Sequence, residues 1–302
     1  MDTVDKYSRA QQLELLTAQR IVKEHAPKNV QLIKENLQDN VIYRTVESYV
    51  YKDYNLVDPR LRVRQSRNTT NLYTLLVDNS SDWSNFPKRS RGIISYLDIM
   101  PQDHGYEFLV IPFDTAKFGL CSAVDFWLSF NYLKDRTGIS AMDTFNAHLG
   151  NILSATSLKK GDSYSRSGTF VDQYIGRVGR ARSGRQTLFE TYDDLKKGFK
   201  QIDGILRGRN SIAKKNLAFK INSIFSGDFE KNYKGDFLSY INELLNPYKN
   251  MFLAEFSLEQ LFNQPTKSAS DFFKLQTKEV WTDCKSLLVK LKVVNTFFHN
   301  FP

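Results

Sequence analysis

Glu279-Val-Trp-Thr-Asp-Cys-Lys-Ser-Leu-Leu-Val289, continued by Lys290-Leu-Lys-Val-Val294, sets two β-rich runs around Thr282-Asp283. Branched and aromatic residues on both sides of a turn predict a closing hairpin. Working back along the chain, Asn40–Val46, Leu72–Val77, Gly92–Leu97 and Tyr106–Pro112 are short apolar runs bounded by Asp, Asn, Pro or Gly, and they predict further strands. Helical patterning fills the rest. Gln11–Glu35 is helix-forming apart from Pro27, and Phe126, Trp127, Phe130, Leu133, Phe145, Leu149 and Ile152 suit helices packed on a sheet. Asp236–Leu245 repeats apolar residues at helical spacing, with Asn246-Pro247 as its stop signal. The chain is therefore a mixed α and β protein.

Composition narrows the class. At 302 residues there is length for one large domain or about two ordinary ones. Hydrophobic residues at 41% and aromatics at 13% exclude a disordered chain. Two cysteines, Cys121 and Cys284, are too few for a disulfide framework or a four-cysteine zinc site, which fits a reducing cytoplasm. The first thirty residues carry charges throughout, so a soluble cytoplasmic protein with no membrane partner is expected. No HExxH, GxxxxGK[ST] or GxSxG occurs, and Gly176, Gly179 and Gly184 follow no strand-to-helix unit. His25, His104, His148 and His299 have no metal-ligand spacing, so no metal is expected.

Charge is concentrated in one place. Residues 1–155 hold 18 Lys and Arg against 18 Asp and Glu, residues 226–302 hold 9 against 9, and residues 156–225 hold 15 against 6. The net +9 thus belongs to the middle segment, where Arg177, Arg180, Arg182 and Arg185 cluster in a Gly- and Ser-rich stretch. Lys196, Lys197, Lys200, Arg207, Arg209, Lys214 and Lys215 follow. Such a density suits a polyphosphate, with an acidic protein partner or a solvated basic face as the alternatives. The expected layout is a helical cap over residues 1–39, a catalytic domain in two parts over 40–155 and 226–302, and a basic lobe inserted at 156–225.

Three strands carry a polar residue at a telling position: Asn40-Val-Ile-Tyr-Arg44, Arg91-Gly-Ile-Ile-Ser95-Tyr-Leu97 and Lys278-Glu279-Val-Trp281. In this order they resemble the R-S-E class of ADP-ribosyltransferases, over roughly residues 40–115 and 275–295. Two departures bear on target choice. The family's Ser-Thr-Ser is Ser95-Tyr96-Leu97 here, and the Gln or Glu two residues before the catalytic glutamate is Thr277, with Gln276 one position too early. Ser90 in Pro87-Lys-Arg-Ser-Arg91 is a second placement of the motif serine.

The resemblance implies an α+β core of two packed, mainly antiparallel sheets, and NAD as the substrate. It also implies Glu279, Arg44 and Ser95 as catalytic residues, with Tyr43, Tyr96 and Ser90 joining Arg44 and Ser95 around the dinucleotide. The chemistry asks for such groups, because breaking the nicotinamide–ribose bond builds positive charge on the sugar while the diphosphate must be held. An arginine fork suits phosphate, and a carboxylate suits the developing cation. Ser95 is expected to brace the pocket and fix Glu279. The implied protein is an intracellular toxin that modifies an RNA or DNA base, restrained by an antitoxin or another acidic partner. The alternatives are a transferase acting on a protein side chain and a non-enzymatic nucleic-acid-binding protein.

Overall fold

The computed structural model describes residues 9–46, 52–61, 63, 72–98, 107–121, 126, 149, 152–153, 191–225, 229–249, 252–263, 278–299 and 301. Arg177, Arg180, Arg182 and Arg185 lie outside these residues, as does most of the helical stretch expected before Leu153. The helices used below are α1 (Arg9–His25), α2 (Pro27–Asn36), α3 (Leu72–Asn79), α4 (Tyr192–Arg207), α5 (Ser211–Ile224) and α6 (Phe237–Lys249). The strands are β1 (Val41–Thr45), β2 (Tyr54–Val57), β3 (Ile93–Asp98), β4 (Glu107–Pro112), β5 (Phe118–Cys121), β6 (Phe252–Phe256), β7 (Lys278–Thr282) and β8 (Ser286–Lys290). Contacts divide the chain into a unit of residues 1–64, 85–125 and 252–302, and a unit of residues 65–84 and 126–251.

All eight strands belong to the first unit and form one antiparallel ladder in the order β2-β8-β4-β1-β3-β7-β5-β6. The expected closing hairpin does not form: β7 pairs with β3 and β5, whereas β8 pairs with β2 and β4. The reason lies in burial. Val280, Trp281 and Thr282 of β7 and Ser286–Val289 of β8 are buried without alternation, the mark of interior strands that need a neighbour on each side.

That connectivity bends the ladder. Four antiparallel steps separate β7 from β8, so the two run the same way. In a flat sheet the end of β7 and the start of β8 would stand about 25 Å apart, from a spacing of about 4.8 Å per strand and about 3.3 Å per residue. The link Asp283–Lys285 reaches only about 14 Å. The ladder therefore coils, and its eight strands form one sheet where two packed sheets were expected.

The core of this unit includes Ile42, Ile93, Leu97, Phe108, Val110, Val280, Leu287 and Val289. The two N-terminal helices pack on this unit through Ala18, Val22, Val30 and Ile33. Pro27 breaks the run into two helices, and Asp114 supplies the cap that Ala26 cannot. Its carboxylate accepts from the Lys28 and Asn29 amides at 3.1 and 2.9 Å.

The second unit is helical where it is described. Leu72–Val77, expected as a strand, lies in α3: Leu72, Tyr73, Leu76 and Val77 are all buried, a spacing that fits one helical face. α4 opens on a capping box between Thr191 and Asp194 and buries Leu195, Phe199, Ile202 and Leu206. α6 runs through Pro247 to Lys249, past its expected stop. Asp203 ties the helices together by accepting from the Tyr233 hydroxyl at 2.7 Å and from the Phe237 amide at 2.9 Å.

Candidate functional site

The three strands singled out in the sequence are consecutive neighbours, β1-β3-β7. Tyr43 stands opposite Tyr96, and Tyr96 opposite Glu279, so the three form one row across the ladder. The Tyr43 and Tyr96 rings lie 5.8 Å apart. Side chains alternate along a strand, and residues directly opposite share a face. Ile94, Tyr96 and Asp98 are half-buried along this side of β3, whereas Ile93, Ser95 and Leu97 are buried on the other.

Glu279 is held by a residue that spacing alone did not mark. The turn Arg89–Arg91, just before β3, carries Arg89 over the Trp281 ring at 4.8 Å. Its Nη1 donates to Glu279 Oε1 at 2.7 Å, with both side chains buried. Trp281 in turn donates from Nε1 to the Pro87 carbonyl at 2.8 Å, which anchors the loop that delivers Arg89. Pro87-Lys-Arg-Ser-Arg91 was read for its serine. Its guanidinium could be found only through the fold, because 190 residues separate it from its partner.

Tyr43 keeps its phenol proton more firmly than usual. Burial pushes its pKa up, and the charges of Asp98 and Glu107 add to the effect. Lys278, at the start of β7, is pushed down by burial. Along the row two half-buried tyrosines thus lie beside a buried, paired carboxylate.

Arg44 and Ser95 are not brought to Glu279. Ser95 stands opposite Val280, one position out of phase with Glu279, and is 2% exposed between Ile93 and Leu97. Its hydroxyl is therefore on the core side, and the bracing expected of it is performed by Arg89. Ser90 is half-buried in the turn that carries Arg89.

Arg44 lines a separate cavity of about 410 Å³ together with Asn55, Asp58, Gly92, Ile93 and Leu288. It also donates from Nη1 to the Ile94 carbonyl at 3.0 Å. On the cavity's rim Arg60 grips Asp58 through two nitrogens at 3.0 and 3.1 Å, and this hydrogen bonding holds the Asp58 carboxyl below its usual range. Arg44 and the ion-paired Asp58 thus both line a cavity whose volume is typical of small-ligand sites.

Among the described residues no group of three or more His, Cys, Asp or Glu gathers as a metal site, and no helix is long and apolar enough to cross a membrane. Fold and site together define an α+β protein with a coiled antiparallel sheet, a Tyr–Tyr–Glu row on one side of its central strands and an arginine-lined cavity on the other. Comparison with family models, with curated proteins and with solved structures finds no match.

Proposed function

We propose that the chain is an ADP-ribosyltransferase that splits NAD and passes ADP-ribose to nucleic acid. The observation that carries this is the row Tyr43–Tyr96–Glu279 on three adjacent strands drawn from distant parts of the sequence. Glu279 faces the ribose and the cation that develops as nicotinamide departs, and its fixed charge needs no reorganisation in the transition state. Arg89 positions that carboxylate. Tyr43 and Tyr96 offer flat rings and phenol donors to the nicotinamide end. Arg44 lies across the ladder from Glu279, so its task is anion binding in the cavity and not the bond-breaking step.

The test is incubation with labelled NAD and cell lysate, split between nuclease and protease treatment. Wild type is expected to leave label that nuclease removes, and Glu279→Gln none, while circular dichroism shows both proteins folded. Label on folded Glu279→Gln at the wild-type level would overturn the mechanism. Label removed only by protease would assign a protein acceptor.

A second class has one observation in its favour. Glu279 is already paired and buried, as a purely structural carboxylate would be, which suits a non-enzymatic nucleic-acid-binding protein. It predicts strand binding with no release of nicotinamide from NAD.

A further inference from the structure

We infer that the outward face of α5 is a platform for single-stranded nucleic acid, with Phe219 as a stacking plate and lysines on either side for phosphates. The inference deepens the acceptor half of the function proposed above and is independent of its NAD half.

The face is unusual in both charge and shape. Arg207, Arg209, Lys214, Lys215 and Lys220 stand between Asp203 and Asp228 with no Asp or Glu among them. Earlier in the basic run Lys196 and Lys197 are matched by Asp193 and Asp194 at 2.6 and 3.8 Å, and Arg207 lies 3.6 Å from Asp203. Among the described residues Arg209, Lys214, Lys215 and Lys220 have no such carboxylate. Lys200, Lys234 and Lys249 also have none, so α5 and the turn before it hold four of this unit's seven described cations in that state.

Leu217, Ala218 and Ile221 turn inward, which leaves Ile212 and Phe219 standing out at 71% and 76% exposure. At about 100° per residue these two lie within about 20° of one another, and seen from Phe219, Lys215 lies about 40° to one side and Lys220 about 100° to the other. An aromatic ring exposed between two cations matches what an unpaired base and its flanking phosphates require.

A partner helix fits less well. It needs apolar anchors at i, i+3, i+4 and i+7, and between Ile212 and Phe219 the i+3 and i+4 positions are Lys215 and Asn216. An anionic membrane surface would need a broad apolar face, and two isolated side chains do not supply one.

The full chain is titrated against fluorescently labelled single-stranded RNA and DNA of mixed sequence, with anisotropy as the readout. Phe219→Ala is expected to weaken binding by about 5- to 160-fold, the range seen when a stacked aromatic is removed, while Phe219→Trp retains it. Replacing both Lys215 and Lys220 with Ala should make the log-log salt slope shallower by about 1.4. Because Phe219 is exposed, the melting temperature of Phe219→Ala should match wild type. Wild-type affinity in Phe219→Ala overturns the platform. So does displacement of the strand by poly-glutamate at equal charge concentration, which would mark the face as a seat for an acidic protein. Nicotinamide release from NAD is followed separately, in wild type without added strand. A wild type that releases none sinks the NAD half alone, since anisotropy does not depend on it.

Discussion

Arg89 and Glu279 meet at 2.7 Å with their side chains only 7% and 5% exposed, a charge pair sealed beneath the half-open face of β3 and β7. Removing one member of such a pair strands the other in a low-dielectric interior, at a cost of about 3–5 kcal/mol. Arg89→Met alone should therefore lower the urea midpoint sharply. The double variant Arg89→Met, Glu279→Leu should recover most of the loss, because matched apolar side chains replace the desolvated pair. Chemical denaturation of the two variants and wild type checks this. Additive losses in the double variant would show that the two side chains do not depend on each other.

Gly119 and Gly204 make a paired test of space. A Cβ on Gly119 would stand 2.2 Å from Trp281 Cζ2, and the ring cannot retreat because Phe86 and Phe252 pack against it. Gly119→Ala should cost about 1–3 kcal/mol or more by overpacking. At Gly204, inside α4, nothing lies within 4 Å of the added atom, so Gly204→Ala should stabilise by about 0.4–1 kcal/mol through helix propensity and a less flexible unfolded chain. Thermal melts should move in opposite directions.

Much of this fold was written in local pattern. Pro27 marked the helix break, and the apolar runs around Arg44, Ser95 and Phe108 marked β1, β3 and β4 to within about a residue. What local pattern could not supply was partnership. Glu279-Val-Trp-Thr and Ser286-Leu-Leu-Val look like a hairpin because they adjoin, yet each is an interior strand whose partners come from elsewhere in the chain. The dense apolar run of α3 satisfies a strand template as well as a helical one. The face of a residue also depends on register, so Ser95 and Glu279 could each be placed on a strand from sequence but not on opposite sides of the ladder. Arg89 was hidden for a further reason: a basic residue in a turn resembles surface until a buried carboxylate is found beneath it.

Tyr233 and Tyr240 should make the helical unit sensitive to alkali. Burial pushes both phenols up to about 12 from an ordinary value of 10.0, and in Tyr233 the hydrogen bond to Asp203 adds to the shift. A raised folded-state pKa means that the native protein holds these protons longer than the unfolded chain does. Below pH 10 both states are protonated and the two tyrosines make no pH-dependent contribution. Between about pH 10 and 12 the unfolded state ionises first, so stability falls as pH rises. Urea midpoints across that window should decline, and Tyr240→Phe should flatten the decline. An unchanged slope in Tyr240→Phe would assign the alkaline loss to other groups.

Asp114 reaches from the link between β4 and β5 to the first turn of α2, and this contact fixes the helical cap to the sheet. Both of its oxygens accept backbone amides there, Oδ2 from Lys28 and Oδ1 from Asn29, while its own amide donates to the His25 carbonyl at 3.1 Å. The carboxylate also faces the positive end of the helix dipole. Asp114→Ala removes the side-chain partners and keeps the backbone contact, so a loss of about 0.5–2 kcal/mol is expected, typical of a deleted N-cap. The loss should be local. Hydrogen exchange should quicken at Lys28 and Asn29 and in the following turn of α2, while the amides of β4 and β8, hydrogen-bonded within the ladder, keep their protection. Asp114→Asn should fall between the two, since its amide oxygen can still accept one of the bonds but carries no charge for the dipole. Equal exchange in wild type and Asp114→Ala would mean that packing of Val30 and Ile33 alone holds α2 in place.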